Sequence, residues 1–238
     1  MLDQALAGPG TWACPGFGEL LRRIPVGGWL KGQVAGPETL RRAGRGDVRE
    51  IAKVVGANAA WQSERILEVG RLPVIAFDEP SWTEPLDAVT REAVAAAISA
   101  SRSAGAVTGV HSCGRAPWDD ILSLGPDFVN PDVSSGAGAF VAAYEAPLRA
   151  HLDRGGWIGW GIVPTDRAVP LGHSRAVLKE LLQAIAPLGD RKRTLSQSFL
   201  TASCGLAGLT PDRAEDVLRV LFELSRFLRV DHLGIPVK

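Results

Sequence analysis

Gly105-Ala106-Val107-Thr108-Gly109-Val110 runs directly into His111-Ser112-Cys113. The apolar run reads as a buried strand, and residues i and i+2 of a strand project to the same face. His111 and Cys113 therefore stand side by side, a nitrogen and a sulfur at the strand's end. A second strand-like stretch, Leu195 to Ser203, ends in Cys204 and is followed by Gly205. If both strands belong to one parallel sheet, the three side chains can meet at its C-terminal rim.

Working outward, strand-like and helix-like segments alternate. Trp29 to Ala35 is a short strand closed by Gly36-Pro37, and Asp47 to Gly70 carries apolar residues at helical spacing. Leu72 to Phe77 is a strand closed by Asp78-Glu79-Pro80, and Leu86 to Ser103 is an Ala-rich helix. After the His111 strand come a short helix near Trp118 to Leu124, a strand from Asp127 to Val133 and a helix from Gly138 to Arg154. Trp157 to Val163 is the fifth strand, and Ser174 to Ala186 is an amphipathic helix with Ser174 as its N-cap. The sixth strand, Leu195 to Ser203, leads to a last helix, Pro211 to Leu228, entered through Thr210.

Repeated alternation of this kind predicts a parallel sheet covered by helices. An open doubly wound sheet announces its nucleotide site with a glycine loop after the first strand. No G-x-G triplet here is followed by the third glycine of that loop; Gly136-Ala137-Gly138, for one, comes late and lacks it. Chemistry-bearing residues sit instead at the ends of several strands, which favours a (β/α) TIM-type barrel. The expected fold is α/β: such a barrel, shortened or incomplete at the N-terminus, with six recognisable βα units. Residues 1–238 are read as one domain, with 1–27 as an irregular N-terminal segment.

Composition bounds the function. Lys+Arg and Asp+Glu both number 26, so a zero formal net charge argues against a general nucleic-acid binder. Cysteines 14, 113 and 204 are too few, and odd in number, for a disulfide framework. Met1-Leu2-Asp3-Gln4 shows no basic segment leading into an apolar core, and no apolar run reaches the ~18–20 residues of a membrane helix. The expected location is cytoplasmic.

One imidazole and two thiolates suit Zn²⁺, which takes nitrogen and sulfur ligands and keeps a position open when catalytic. Alone, a buried cysteine is a small hydrophobe and a histidine a satisfied core residue. Together, His111, Cys113 and Cys204 form a candidate zinc site. Asp78 and Glu79 end a strand, so one of the two faces the sheet's mouth. There it could bind an amino group or move a proton. Asp132, after Pro131, is a candidate oxygen ligand. Trp160, Asp166 and His173 flank the loop after the fifth strand, where a barrel binds substrate. Cys14 has no partner at ligand spacing.

Taken together, five stretches resemble the methionine synthase/uroporphyrinogen decarboxylase-like superfamily, in particular the catalytic barrel of cobalamin-independent methionine synthase. They are Lys31-Gly32-Gln33-Val34-Ala35-Gly36-Pro37, Phe77-Asp78-Glu79-Pro80, His111-Ser112-Cys113-Gly114, Gly159-Trp160-Gly161-Ile162-Val163-Pro164 and Ser203-Cys204-Gly205-Leu206. They occur in the family's order, over about residues 28 to 225.

The resemblance implies zinc held by His111, Cys113 and Cys204, and methyl transfer to a thiol. It implies that Asp78 holds the amino group of an amino-acid thiol such as homocysteine, with Glu79, Trp160 and Asp166 near the substrate. Asp132 falls where the family's methionine synthases carry a glutamate ligand, and is one methylene shorter. Family barrels begin with two further strands, for which residues 1–27 are too short, and no folate-binding half is evident. A methyl-corrinoid protein is therefore the expected donor, and either self-association into a homo-oligomer or a donor protein docking near the open side is expected to cover the open edge. Alternatives are alkyl transfer to another thiol such as coenzyme M, and a partner subunit that retains the metal site.

Overall fold

The computed structural model describes residues 15–168 and 171–236, and side chains from 175 onward after the break. Cys14 and the side chain of His173 lie outside the described residues. The chain is α/β, with six parallel strands that follow one another in sequence order. Among the described residues no strand pairing closes the set into a barrel. No described helix is long and apolar enough to cross a membrane. Two compact units divide the chain, residues 1–127 and 128–238.

The first unit holds α1 (Pro15–Arg23), β1 (Trp29–Ala35), α2 (Pro37–Arg42), α3 (Val48–Glu68), β2 (Leu72–Asp78), α4 (Ala88–Ser103), β3 (Val107–Ser112) and α5 (Trp118–Ser123). Helix α1 corrects the expectation of an irregular start. Glu19 pairs with Arg22 and Arg23 along it, and Phe17 packs its ring on Trp61 of α3. Asp47 and Asp87 cap α3 and α4 by accepting from backbone N–H groups of the first turn.

Strand β1 alternates strictly between exposed and buried residues. Leu30 and Val34 enter the core, while Trp29, Lys31, Gln33 and Ala35 line the other face. Its outer edge is managed by a side chain. The Gln62 amide of α3 accepts from the Gln33 N–H (3.1 Å) and donates to the Gln33 carbonyl (3.0 Å). Gln62 thus takes the place of a neighbouring strand there, blunting an edge that would otherwise invite pairing. Gly32 leaves room for it, since a Cβ there would run into the Gln62 amide oxygen. The core beneath is made by Ile51, Val55, Ile66, Ile75, Phe77 and Ile98, all buried.

The second unit holds β4 (Phe128–Pro131), α6 (Ala137–Asp153), β5 (Trp157–Val163), α7 (Leu171–Ala184), α8 (Arg191–Ser196), β6 (Ser198–Ala202) and α9 (Pro211–Phe227). Strand β6 starts at Ser198 rather than Leu195. Asp190 accepts from the Arg193 N–H at 2.8 Å and so starts the short helix α8, which consumes Leu195 and Ser196. Ser174 lies inside α7 rather than before it. Thr210 precedes α9 with Pro211 in the first turn, as expected.

The turn from α6 into β5 is built on His151, which is fully buried. A carbonyl can only accept, so His151 Nε2 donates to the Trp157 carbonyl (2.9 Å) and Nδ1 accepts from Arg154 (2.9 Å). Gly156 is required because a Cβ there would strike the imidazole ring.

Candidate metal centre

The C-terminal rim of the first unit is set by strand register. Ala35 lies opposite Asp78, and Asp78 opposite His111. Backbone bonds carry the pairing past the strand ends: Gly36 N–H donates to the Asp78 carbonyl, and Glu79 N–H to the His111 carbonyl, each at 2.8 Å. Cys113 follows two residues after His111, and both are half-buried. Gly114 then turns the chain under Pro80, whose carbonyl oxygen would sit 2.8 Å from any Cβ at that position.

In the second unit, Ser203 N–H donates to the Val163 carbonyl (2.8 Å), and the Ser203 hydroxyl accepts from Thr165 N–H (3.2 Å). Cys204 is the next residue and is exposed. An imidazole nitrogen of His111 and the sulfurs of Cys113 and Cys204 all lie within 4.8 Å of one another. This group could hold a metal ion. Among the described residues it is the one group of His, Cys, Asp and Glu drawn together in this way. One nitrogen and two sulfurs match the ligand chemistry of zinc and leave a tetrahedral ion one position short.

The adjacent carboxylates divide their roles. Asp78 has a buried Oδ1 with no hydrogen-bond partner. Burial raises its pKa, against the opposing pull of Lys31 and His111. Glu79 is fully buried and turned to the opposite side. Its Oε1 accepts from Glu38 N–H (3.0 Å), and its Oε2 accepts from the N–H and hydroxyl of Thr39 (both 2.7 Å). Glu79 thereby anchors the entry of α2. Burial lifts its pKa from 4.5 to about 7 despite those three donors. Gly36 belongs to the same device, because a Cβ there would fall on the Glu79 carboxyl group.

The other sequence candidates are placed as follows. Asp132 Oδ1 accepts from Ser134 N–H (2.9 Å), and Asp132 is not one of the three grouped residues. Trp160 is fully buried, donates its indole N–H to Ser198 Oγ (3.0 Å) and meets Phe140 edge-on. Asp166 is exposed and paired with Arg167.

In the sequence Lys31 and Gln33 belong only to a strand and the turn that follows it. The structure puts both on the same exposed strand face as Asp78's neighbour Ala35, with Lys31 Nζ donating to Gln33 Oε1 at 2.9 Å. The signal was available in the alternation of polar Lys31 and Gln33 with apolar Leu30 and Val34.

No protein-family model matches the chain, and no curated protein matches it.

Proposed function

We propose that the chain is a zinc-dependent methyltransferase with a shortened (β/α) barrel, moving a methyl group to a thiol acceptor of the homocysteine type to give methionine. The observation that carries this reading is the group of His111, Cys113 and Cys204, with ligand atoms within 4.8 Å of one another. Zinc bound by these three residues would act as a Lewis acid that lowers the pKa of an acceptor thiol and keeps it nucleophilic.

The chain's own side chains supply the rest. His111 lies near the end of β3 and Cys113 just past it, and their donor atoms already lie close together, which limits reorganisation on binding. Asp78 offers an unpartnered buried oxygen opposite His111 in the register. An acceptor with an ammonium group would satisfy that oxygen. This favours an amino-acid thiol over coenzyme M, which has no such group. In the transfer, a sulfur–carbon bond forms as the methyl–donor bond breaks, and that bond's electron pair leaves with the donor. The resemblance of the five motifs supports a place in methionine biosynthesis; a methyl-corrinoid protein as donor and a cytoplasmic location belong to the same proposal.

Zinc X-ray absorption with and without homocysteine tests the reading. A further sulfur in the metal's shell on adding homocysteine is expected. An unchanged shell at saturating thiol would mark the metal as structural and remove the proposal.

A further inference from the structure

One face of the first unit's strands carries opposite charges that do not meet. Along β1 the exposed residues are Trp29, Lys31, Gln33 and Ala35. The register places Val74 opposite Lys31, Ala76 opposite Gln33 and Asp78 opposite Ala35. On β3, Val107, Gly109 and His111 continue the same three rows. The row just below the rim is therefore Gln33, Ala76 and Gly109. Two of its three members, Ala76 and Gly109, have almost no side chain, and both are buried between the levels of Lys31 and Asp78.

Lys31 leans toward this row, because its ammonium donates to Gln33 Oε1, one row nearer the rim. It makes no ion pair with Asp78, whose Oδ1 stays buried without a partner. Protein around the ammonium displaces part of its hydration and lowers its pKa, while the Asp78 charge works in the opposite sense. Each group is near enough to feel the other's charge, and among the described residues neither has an ion-pair partner within salt-bridge distance.

The spacing suits a zwitterion. Four residues of strand separate Lys31 from the level of Asp78, roughly 13 Å at ~3.3 Å per residue. The two side chains close much of that distance. An α-amino acid carries its ammonium and carboxylate ~3 Å apart, and hydrogen bonds of ~2.8 Å at each end let it bridge a gap of about 6–9 Å.

Resting on the reading of the site as one for an amino-acid thiol, we propose that Lys31 and Asp78 form a zwitterion clamp. Lys31 binds the substrate carboxylate and Asp78 its ammonium, and Lys31 is the residue that distinguishes amino-acid thiols from thiols lacking a carboxylate.

The test is calorimetric binding of L-homocysteine and its decarboxylated analogue 3-mercaptopropylamine to zinc-loaded protein. Wild type, Lys31→Met and Lys31→Arg are compared. A lost charge-assisted hydrogen bond corresponds to about a 10- to 100-fold weaker Kd, so Lys31→Met should lose that much for homocysteine. Its affinity for 3-mercaptopropylamine should stay at the wild-type value, which also shows that the variant is folded. Lys31→Arg should recover part of the loss.

If Lys31→Met binds homocysteine as well as wild type does, or weakens both thiols equally, the clamp is overturned and the thiol site stands. If wild-type protein binds neither thiol, the underlying functional reading falls and the clamp falls with it.

Discussion

Replacing Glu79 with glutamine should change how stability depends on pH. Glu79 is fully buried, and its carboxyl pKa rises from 4.5 to about 7, chiefly through burial. A carboxyl whose pKa is raised by folding binds its proton more tightly in the native state. Its contribution is fully present below pH 4.5 and is lost as pH rises through about 7. The interval from 4.5 to about 7, at ~1.4 kcal/mol per pH unit, amounts to about 3 kcal/mol.

Glutamine has the shape of the protonated acid and carries no charge at any pH in this range. Urea unfolding of metal-free protein at intervals from about pH 4 to 8.5 covers the titration. Removing metal keeps metal-linked ligand protonation out of the comparison. Wild type should lose about 3 kcal/mol relative to Glu79→Gln across this window, mostly between pH 5 and 7. Parallel stability curves would refute the reasoning. They would mean that the three donors from Glu38 and Thr39 outweigh burial and keep the carboxylate ionised throughout.

Three further outcomes follow from the geometry. Gly36→Ala should destabilise by about 1–3 kcal/mol in thermal or urea unfolding, since its methyl group collides with Glu79, and a second change Glu79→Ala should recover part of that loss. Cys113→Ser and Cys204→Ser should each lower zinc stoichiometry in elemental analysis of protein purified without added metal; full zinc in both would overturn the ligand assignment. His151→Phe keeps a ring of similar size but leaves the Trp157 carbonyl and Arg154 without that partner. It should cost about 2–3 kcal/mol in urea unfolding, while zinc content stays unchanged.

The sequence alone determined the succession of elements, because hydrophobic period, caps and turn residues act over a few neighbours. β1 and β5 run over the residues read from the sequence, Trp29–Ala35 and Trp157–Val163. The pairing of His111 with Cys113 is equally local, the two being separated by one residue at the end of β3. Short-range competitors shift two of these boundaries. Asp190 caps a helix that takes the first residues assigned to β6, and Glu19 with two arginines supports α1 where an irregular segment was expected.

The tertiary structure decided which side chains remain available. Asp78 and Glu79 are chemically alike and adjacent, and their separation depends on donors at Glu38 and Thr39, some 40 residues away. Strand β5 is apolar along nearly its whole length, so its pattern could not say that Trp160 turns into the core toward Phe140. Nor could it place Cys204 beside His111 and Cys113. Contacts between distant segments are set by register and packing, and local periodicity carries no record of them.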